Sequence, residues 1–80
     1  MSDEMNLTWP RLYLWPADGQ WWATVVDESG CWLWSAKEAV PGLMGREGMI
    51  RAAAAADYAD VPSIEARHLR EVPRRPNASK

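Results

Sequence analysis

Three features of this sequence point to the α+β class, as a three- or four-stranded antiparallel sheet with one α-helix packed on one face. Two tight-turn signals, Asp18-Gly19 and Asp27-Glu28-Ser29-Gly30, separate three runs rich in strand formers. Alternation along those runs makes one face of the resulting meander wholly apolar. Five consecutive alanines, Ala52 to Ala56, mark one helix with a small-residue stripe suited to bulky partners.

The first strand is Leu12-Tyr13-Leu14-Trp15, bounded by Pro10 and Pro16. Trp22-Ala23-Thr24-Val25-Val26 is the second and Cys31-Trp32-Leu33-Trp34 the third. Ser35-Ala36-Lys37-Glu38 has capping-box spacing and predicts one helical turn, ended by Pro41-Gly42. The main helix is predicted from Arg46 to Tyr58, with Met49, Ile50, Ala53, Ala54 and Tyr58 on one stripe and a first turn weakened by Gly45 and Gly48. Residues 61–72 read two ways. As a strand they alternate Ile64, Ala66 and His68 against Glu65, Arg67 and Leu69; as a helix they align Ile64, His68 and Val72. A strand over 62–69 is expected.

Directly paired residues share a face of a sheet, so even-length hairpin loops sort the side chains. With such loops, Leu12, Leu14, Trp21, Ala23, Val25, Trp32, Trp34 and Ala36 lie together and form the core against the alanine helix. Arg11, Tyr13, Trp15, Gln20, Trp22, Thr24, Val26, Cys31, Leu33 and Ser35 lie on the opposite face. An odd loop would flip a strand and break this sorting. One helix covers one face, so the second is expected to stand open unless the C-terminal segment folds over it. Trp9 precedes the first strand and is left unassigned.

The chain has 80 residues, with six Trp, two Tyr and no Phe, and a formal net charge of −2. That length supports a single domain, expected over residues 7–72, with a flexible N-terminus at 1–6 and a disordered basic tail at 73–80. One Cys and one His exclude an intramolecular disulfide framework and a zinc knuckle. His68 and Cys31 are far apart in the chain, and no activated pair suggests a nucleophile or base. Asp57 and Asp60 are too few for a calcium cage. Gly42, Gly45 and Gly48 lack the Lys-Ser or Lys-Thr that completes a phosphate loop. No enzyme activity, cofactor or metal is therefore expected. The acidic N-terminus does not read as a secretory signal, and no stretch reaches the ~20 apolar residues of a membrane span. The expected compartment is the cytoplasm.

The run Leu12-Tyr13-Leu14-Trp15, then Asp18-Gly19-Gln20-Trp21-Trp22, Glu28-Ser29-Gly30 and Gly48-Met49-Ile50-Arg51-Ala52-Ala53 resembles the small YegP-type domain over about residues 12–65. The resemblance implies the order strand-strand-strand-helix-strand and no activity. It lapses at Ala39-Val40-Pro41-Gly42-Leu43-Met44, where that family is rich in Ser and Lys. The same order is similar to HicB-type antitoxins. By class alone, a small acidic domain with an aromatic face resembles phage anti-CRISPR inhibitors, whose members share no motif to carry over.

The function expected is a non-catalytic protein-binding module, in its sharpest form a small inhibitor that blocks a nucleic-acid-binding complex. Tyr, Trp and Arg dominate interface hot spots. Arg11, Tyr13, Trp15, Trp22 and Leu33 are thus the expected contacts, with Asp18, Asp27 and Glu28 at the hairpin tips giving acidic complementarity. The expected partner is another protein or protein complex, with no membrane involved. One alternative is single-stranded nucleic-acid binding by the aromatic face and basic tail, although a sequence pI near 5.2 argues against it. The other is a self-associating or antitoxin-like module that forms a homodimer.

Overall fold

A computed structural model describes residues 8–74. The elements run β1 (Arg11–Ala17), β2 (Gln20–Val26), β3 (Trp32–Lys37), α1 (Gly45–Ala53) and β4 (Ser63–Glu65), followed by a short 3-10 turn at Leu69–Glu71. The four strands form one sheet in the order β3-β2-β1-β4, with α1 across one face. The chain is therefore α+β. The segments expected at 1–6 and beyond residue 74 lie outside the described residues.

The Asp18-Gly19 turn sets the register. Both residues take positive φ, 55° and 76°, as a two-residue type I′ hairpin requires. Ala17 then pairs with Gln20, Trp15 with Trp22 and Leu12 with Val25.

The second hairpin departs from the expected parity. Val26 pairs with Trp32, leaving a five-residue loop, and a register shift follows between Val25 and Val26. The odd loop places Trp32 on the second face, opposite Val26, and the bulge at Leu33 returns Trp34 and Ala36 to the first face. Trp32 is thus not part of the helix-side core. The loop is held by Asp27, whose Oδ1 accepts the Ser29 N–H at 2.9 Å, the Ser29 hydroxyl at 2.7 Å and the Cys31 N–H at 2.9 Å.

The first face otherwise packs as expected. Leu12, Leu14, Ala23 and Val25 are buried against Met49 and Ala53 of α1, with Trp21, Trp34, Ala36, Ile50 and Tyr58 around them. Ala54, expected on the same stripe, is exposed. The helix ends at Ala53 and runs into a wide π-type turn, Ala54–Tyr58, in which Asp57 takes φ 77°. Asp tolerates that left-handed conformation better than most residues, and it breaks the alanine run before Tyr58.

β4 is shorter than expected and runs parallel to β1. Leu12, Tyr13 and Leu14 pair with Ser63, Ile64 and Glu65. The Leu12 N–H donates to the Pro62 carbonyl at 2.8 Å and the Ala66 N–H to the Leu14 carbonyl at 2.7 Å. The sheet is therefore mixed rather than wholly antiparallel, because α1 carries the chain from one sheet edge to the other as a crossover.

After β4 the chain passes over the second face. Ala66 and Val72 are buried there with Tyr13, Trp15 and Val26, and Trp9, Trp22, Trp32 and Ile64 pack around them. The second face is consequently a second, smaller core and not an open sheet.

Candidate functional site

Covering the second face reassigns most of the expected contacts. Tyr13 and Trp15 are 2% and 4% exposed, so they are core residues. Arg11 is also buried, its guanidinium 3.9 Å from the centre of the Trp9 ring and its Nε donating to the Thr8 carbonyl at 3.4 Å. Of the expected anchors Tyr13, Trp15, Trp22 and Leu33, with Arg11 nearby, three are thus not exposed: Tyr13 and Trp15 pack with Ala66 and Val72 of a segment too short and irregular to show periodicity, and Arg11 lies against Trp9. Trp22 remains half-buried, and Leu33 stands 45% exposed on the bulged edge strand.

The acidic tips separate as well. Asp18 and Glu28 are exposed at opposite ends of β2. Seven residues of strand put them on the order of 20 Å apart, so they do not form one acidic patch. Asp27 is half-buried and committed to its own turn.

What the structure brings together is a shallow groove lined by indoles. Trp15 and Trp22 stack across the β1–β2 ladder, with ring centroids 6.4 Å apart and planes 13° from parallel. Trp32 tilts against Trp15 at 6.0 Å and 53°. The buried Trp15 is the floor, and the half-buried Trp22 and Trp32 are the walls. On one side a depression of about 270 Å³ reaches Asp18, Ala17 and Leu69; on the other, one of about 230 Å³ reaches Lys37 and Ser35.

The polar ends of the walls are already engaged. Trp22 Nε1–H donates to the Ala17 carbonyl at 2.9 Å and Trp32 Nε1–H to the Pro73 carbonyl at 2.8 Å. The second bond extends the folded region through Pro73, one residue past the expected boundary. With both donors satisfied, the Trp22 and Trp32 walls present π faces rather than N–H groups. Lys37 uses one of them, its Nζ lying 5.5 Å from the centre of the Trp22 ring. The exposed Leu69, from the 3-10 turn, forms the apolar rim near Asp18.

Trp32 and Leu69 are therefore the groove residues that strand pairing did not identify. A five-residue spacing between Val26 and Trp32 was the available signal for Trp32. No periodic signal marks Leu69.

A second feature centres on Glu38, which is 2% exposed. Its Oε1 accepts the Trp21 N–H at 2.6 Å and its Oε2 accepts the Gly45 N–H at 2.6 Å. The carboxylate thus caps α1 from seven residues upstream and ties it to β2. Glu38 does not form the predicted capping box, because Ser35, Ala36 and Lys37 are in β3. The Gly45 amide, then that of Trp21, holds the Glu38 carboxyl below its ordinary range; burial opposes this, and the Gly42 and Met44 amides add to it. The adjoining cleft of about 430 Å³, lined in part by Pro16, Gln20 and Trp21, has this committed carboxylate as its acidic group.

His68 is exposed at the start of the 3-10 turn, and Cys31 is half-buried at the end of the β2–β3 loop. Among the described residues, no three His, Cys, Asp or Glu side chains cluster as metal ligands would. No described helix is long and apolar enough to cross a membrane. Comparison with protein-family models, with curated proteins and with solved structures found no match.

Proposed function

We propose that this protein is a non-catalytic protein-binding module, acting as a small inhibitor that occupies the surface of a nucleic-acid-binding complex. The observation that carries the reading is the groove walled by Trp22 and Trp32, with an apolar rim at Leu69 and a carboxylate at Asp18. Tryptophan faces with satisfied N–H groups attract apolar and cationic side chains, and Trp is among the residue types richest in hot-spot energy. A basic surface built to hold nucleic acid supplies such cations, and the net charge of −2 favours its approach. The contacting residues are Trp22, Trp32, Leu69 and Asp18, with Trp15 as the floor and Tyr13 in the core with it.

The test is site-specific photo-cross-linking in the native cell. A photoreactive group at Leu69 is expected to give one protein adduct that the same group at Ala55, on the exposed side of the helical turn, does not give. An adduct formed equally from both positions would remove the groove from the reading. Saturable binding of a single-stranded oligonucleotide that weakens steeply with salt would replace the protein partner with nucleic acid. Adducts joining two copies of this chain would replace it with self-association.

A further inference from the structure

We propose that the lobe of the groove between Trp22, Trp32 and Asp18 is a receptor for one arginine side chain of a protein partner. This deepens the reading above and rests on it for the identity of the macromolecule, while the chemistry of the lobe stands on its own geometry.

The indoles present flat π surfaces at two orientations. Trp15 and Trp22 are 13° from parallel, and Trp32 is tilted by 53° to Trp15. A planar group laid on one surface is met by the other along its edge. The indole N–H groups of both walls already bond to backbone carbonyls, so the walls offer little to a ligand that needs donors. A ligand that itself carries donors and positive charge has no such need.

The chain shows the same preference internally. Lys37 places its ammonium over the Trp22 ring in the neighbouring lobe, and Arg11 lays its guanidinium on Trp9 at 3.9 Å. The shorter approach is made by the planar cation, as stacking of a guanidinium on an aromatic face predicts.

Asp18 is what distinguishes the two lobes. One is lined by the chain's own cation, Lys37, whereas the other is lined by the exposed, acidic Asp18. An arginine lying on the indoles can turn its N–H fork toward that carboxylate and pair with it in bidentate fashion. Leu69, on the same rim, covers the methylene stem of the incoming side chain. Asp18 also holds the positive φ of the type I′ turn, so its carboxylate starts from a rigid backbone position.

The experiment uses the full chain and three capped tripeptides, Gly-Arg-Gly, Gly-Lys-Gly and Gly-citrulline-Gly, with the Trp22 and Trp32 indole N–H resonances followed by NMR. Citrulline keeps the shape and removes the charge. The arginine peptide is expected to shift both resonances saturably, with affinity in the order arginine, lysine, citrulline. Asp18→Asn, which suits the same turn, is expected to weaken the arginine peptide about threefold or more without changing the remaining spectrum. Equal shifts from citrulline and arginine would overturn the proposal in favour of a simple apolar groove. Absence of saturable shifts, or an unchanged affinity in Asp18→Asn, would also overturn it. These outcomes do not depend on a partner. If the arginine peptide binds while cross-linking gives no adduct at Leu69, the proposed function alone fails; the converse leaves that function and removes the arginine.

Discussion

Trp15 and Trp22 face each other across the β1–β2 ladder, their rings stacked at 6.4 Å, yet they are not equivalent. Trp15 is 4% exposed beneath the C-terminal segment, whereas Trp22 is only half-buried and lines the groove. Trp15→Ala is expected to cost about 3–5 kcal/mol, a large part of the stability of a small domain. Trp22→Ala is expected to cost about 1–2 kcal/mol and to leave a folded protein that has lost its groove wall. Urea denaturation of both variants measures this. Equal costs would mean that the two rings are buried alike.

Glu38 makes stability pH-dependent. Its folded carboxyl titrates below the ordinary value of 4.5, so the stability it contributes is complete above that value. It is lost as pH falls from there through the depressed folded value. Melting temperature should therefore drop on acidification below about pH 4.5. Glu38→Gln should melt lower than the natural chain at pH 7, and the gap should narrow in acid. A gap independent of pH would remove the carboxylate from the explanation.

Gly48 tests a contact where intrinsic propensity predicts the wrong sign. Ala is the better helix former by about 1 kcal/mol. A Cβ at Gly48, however, would lie 2.8 Å from Met44 Cβ, which cannot swing aside as a side-chain tip can. Gly48→Ala is expected to destabilise by about 1–2 kcal/mol net, as overpacking does. A stabilised variant in thermal melts would show that Met44 gives way freely.

Val72 lies 4% exposed at the far end of the covering segment. Val72→Asp places a carboxylate in the second core and is expected to cost about 2–4 kcal/mol. Near-ultraviolet circular dichroism should report loss of the fixed Trp15–Trp32 geometry, with far-ultraviolet signal from α1 retained at low denaturant. An unchanged indole signal would mean that the second core does not need this cover.

Much of the sheet could be read before the structure. Asp18-Gly19 dictates a two-residue turn, and that turn alone pairs Trp15 with Trp22 and places Leu12, Leu14, Ala23 and Val25 on one face. The face of Trp32 is not legible because parity changes twice within a few residues, once at the five-residue loop and again at the Leu33 bulge. The change from α-helix to π-type turn after Ala53 is not legible because alanine propensity is local, whereas this change brings the chain round for Pro62 to meet Leu12. The groove was legible in part. Trp22 and Asp18 follow from the first hairpin, but Trp32 depends on the bulge and Leu69 on a cover held by single residues, Ala66 and Val72. Such a cover leaves no period to detect.

The position of β1 has a consequence for how the molecule assembles. One edge of this strand zips to its immediate neighbour through a two-residue turn, a local event on a timescale of about 1–10 μs. Its other edge waits for Ser63–Glu65, about fifty positions away, which must first be carried round by α1. Folding should accordingly finish on the β4 side, in a transition state polarised toward the first hairpin. In hydrogen exchange, the amide of Ala66, bonded to Leu14, should open before those that join β1 to β2. The side of the sheet that closes last is also the side from which the chain continues into the cover over the indoles.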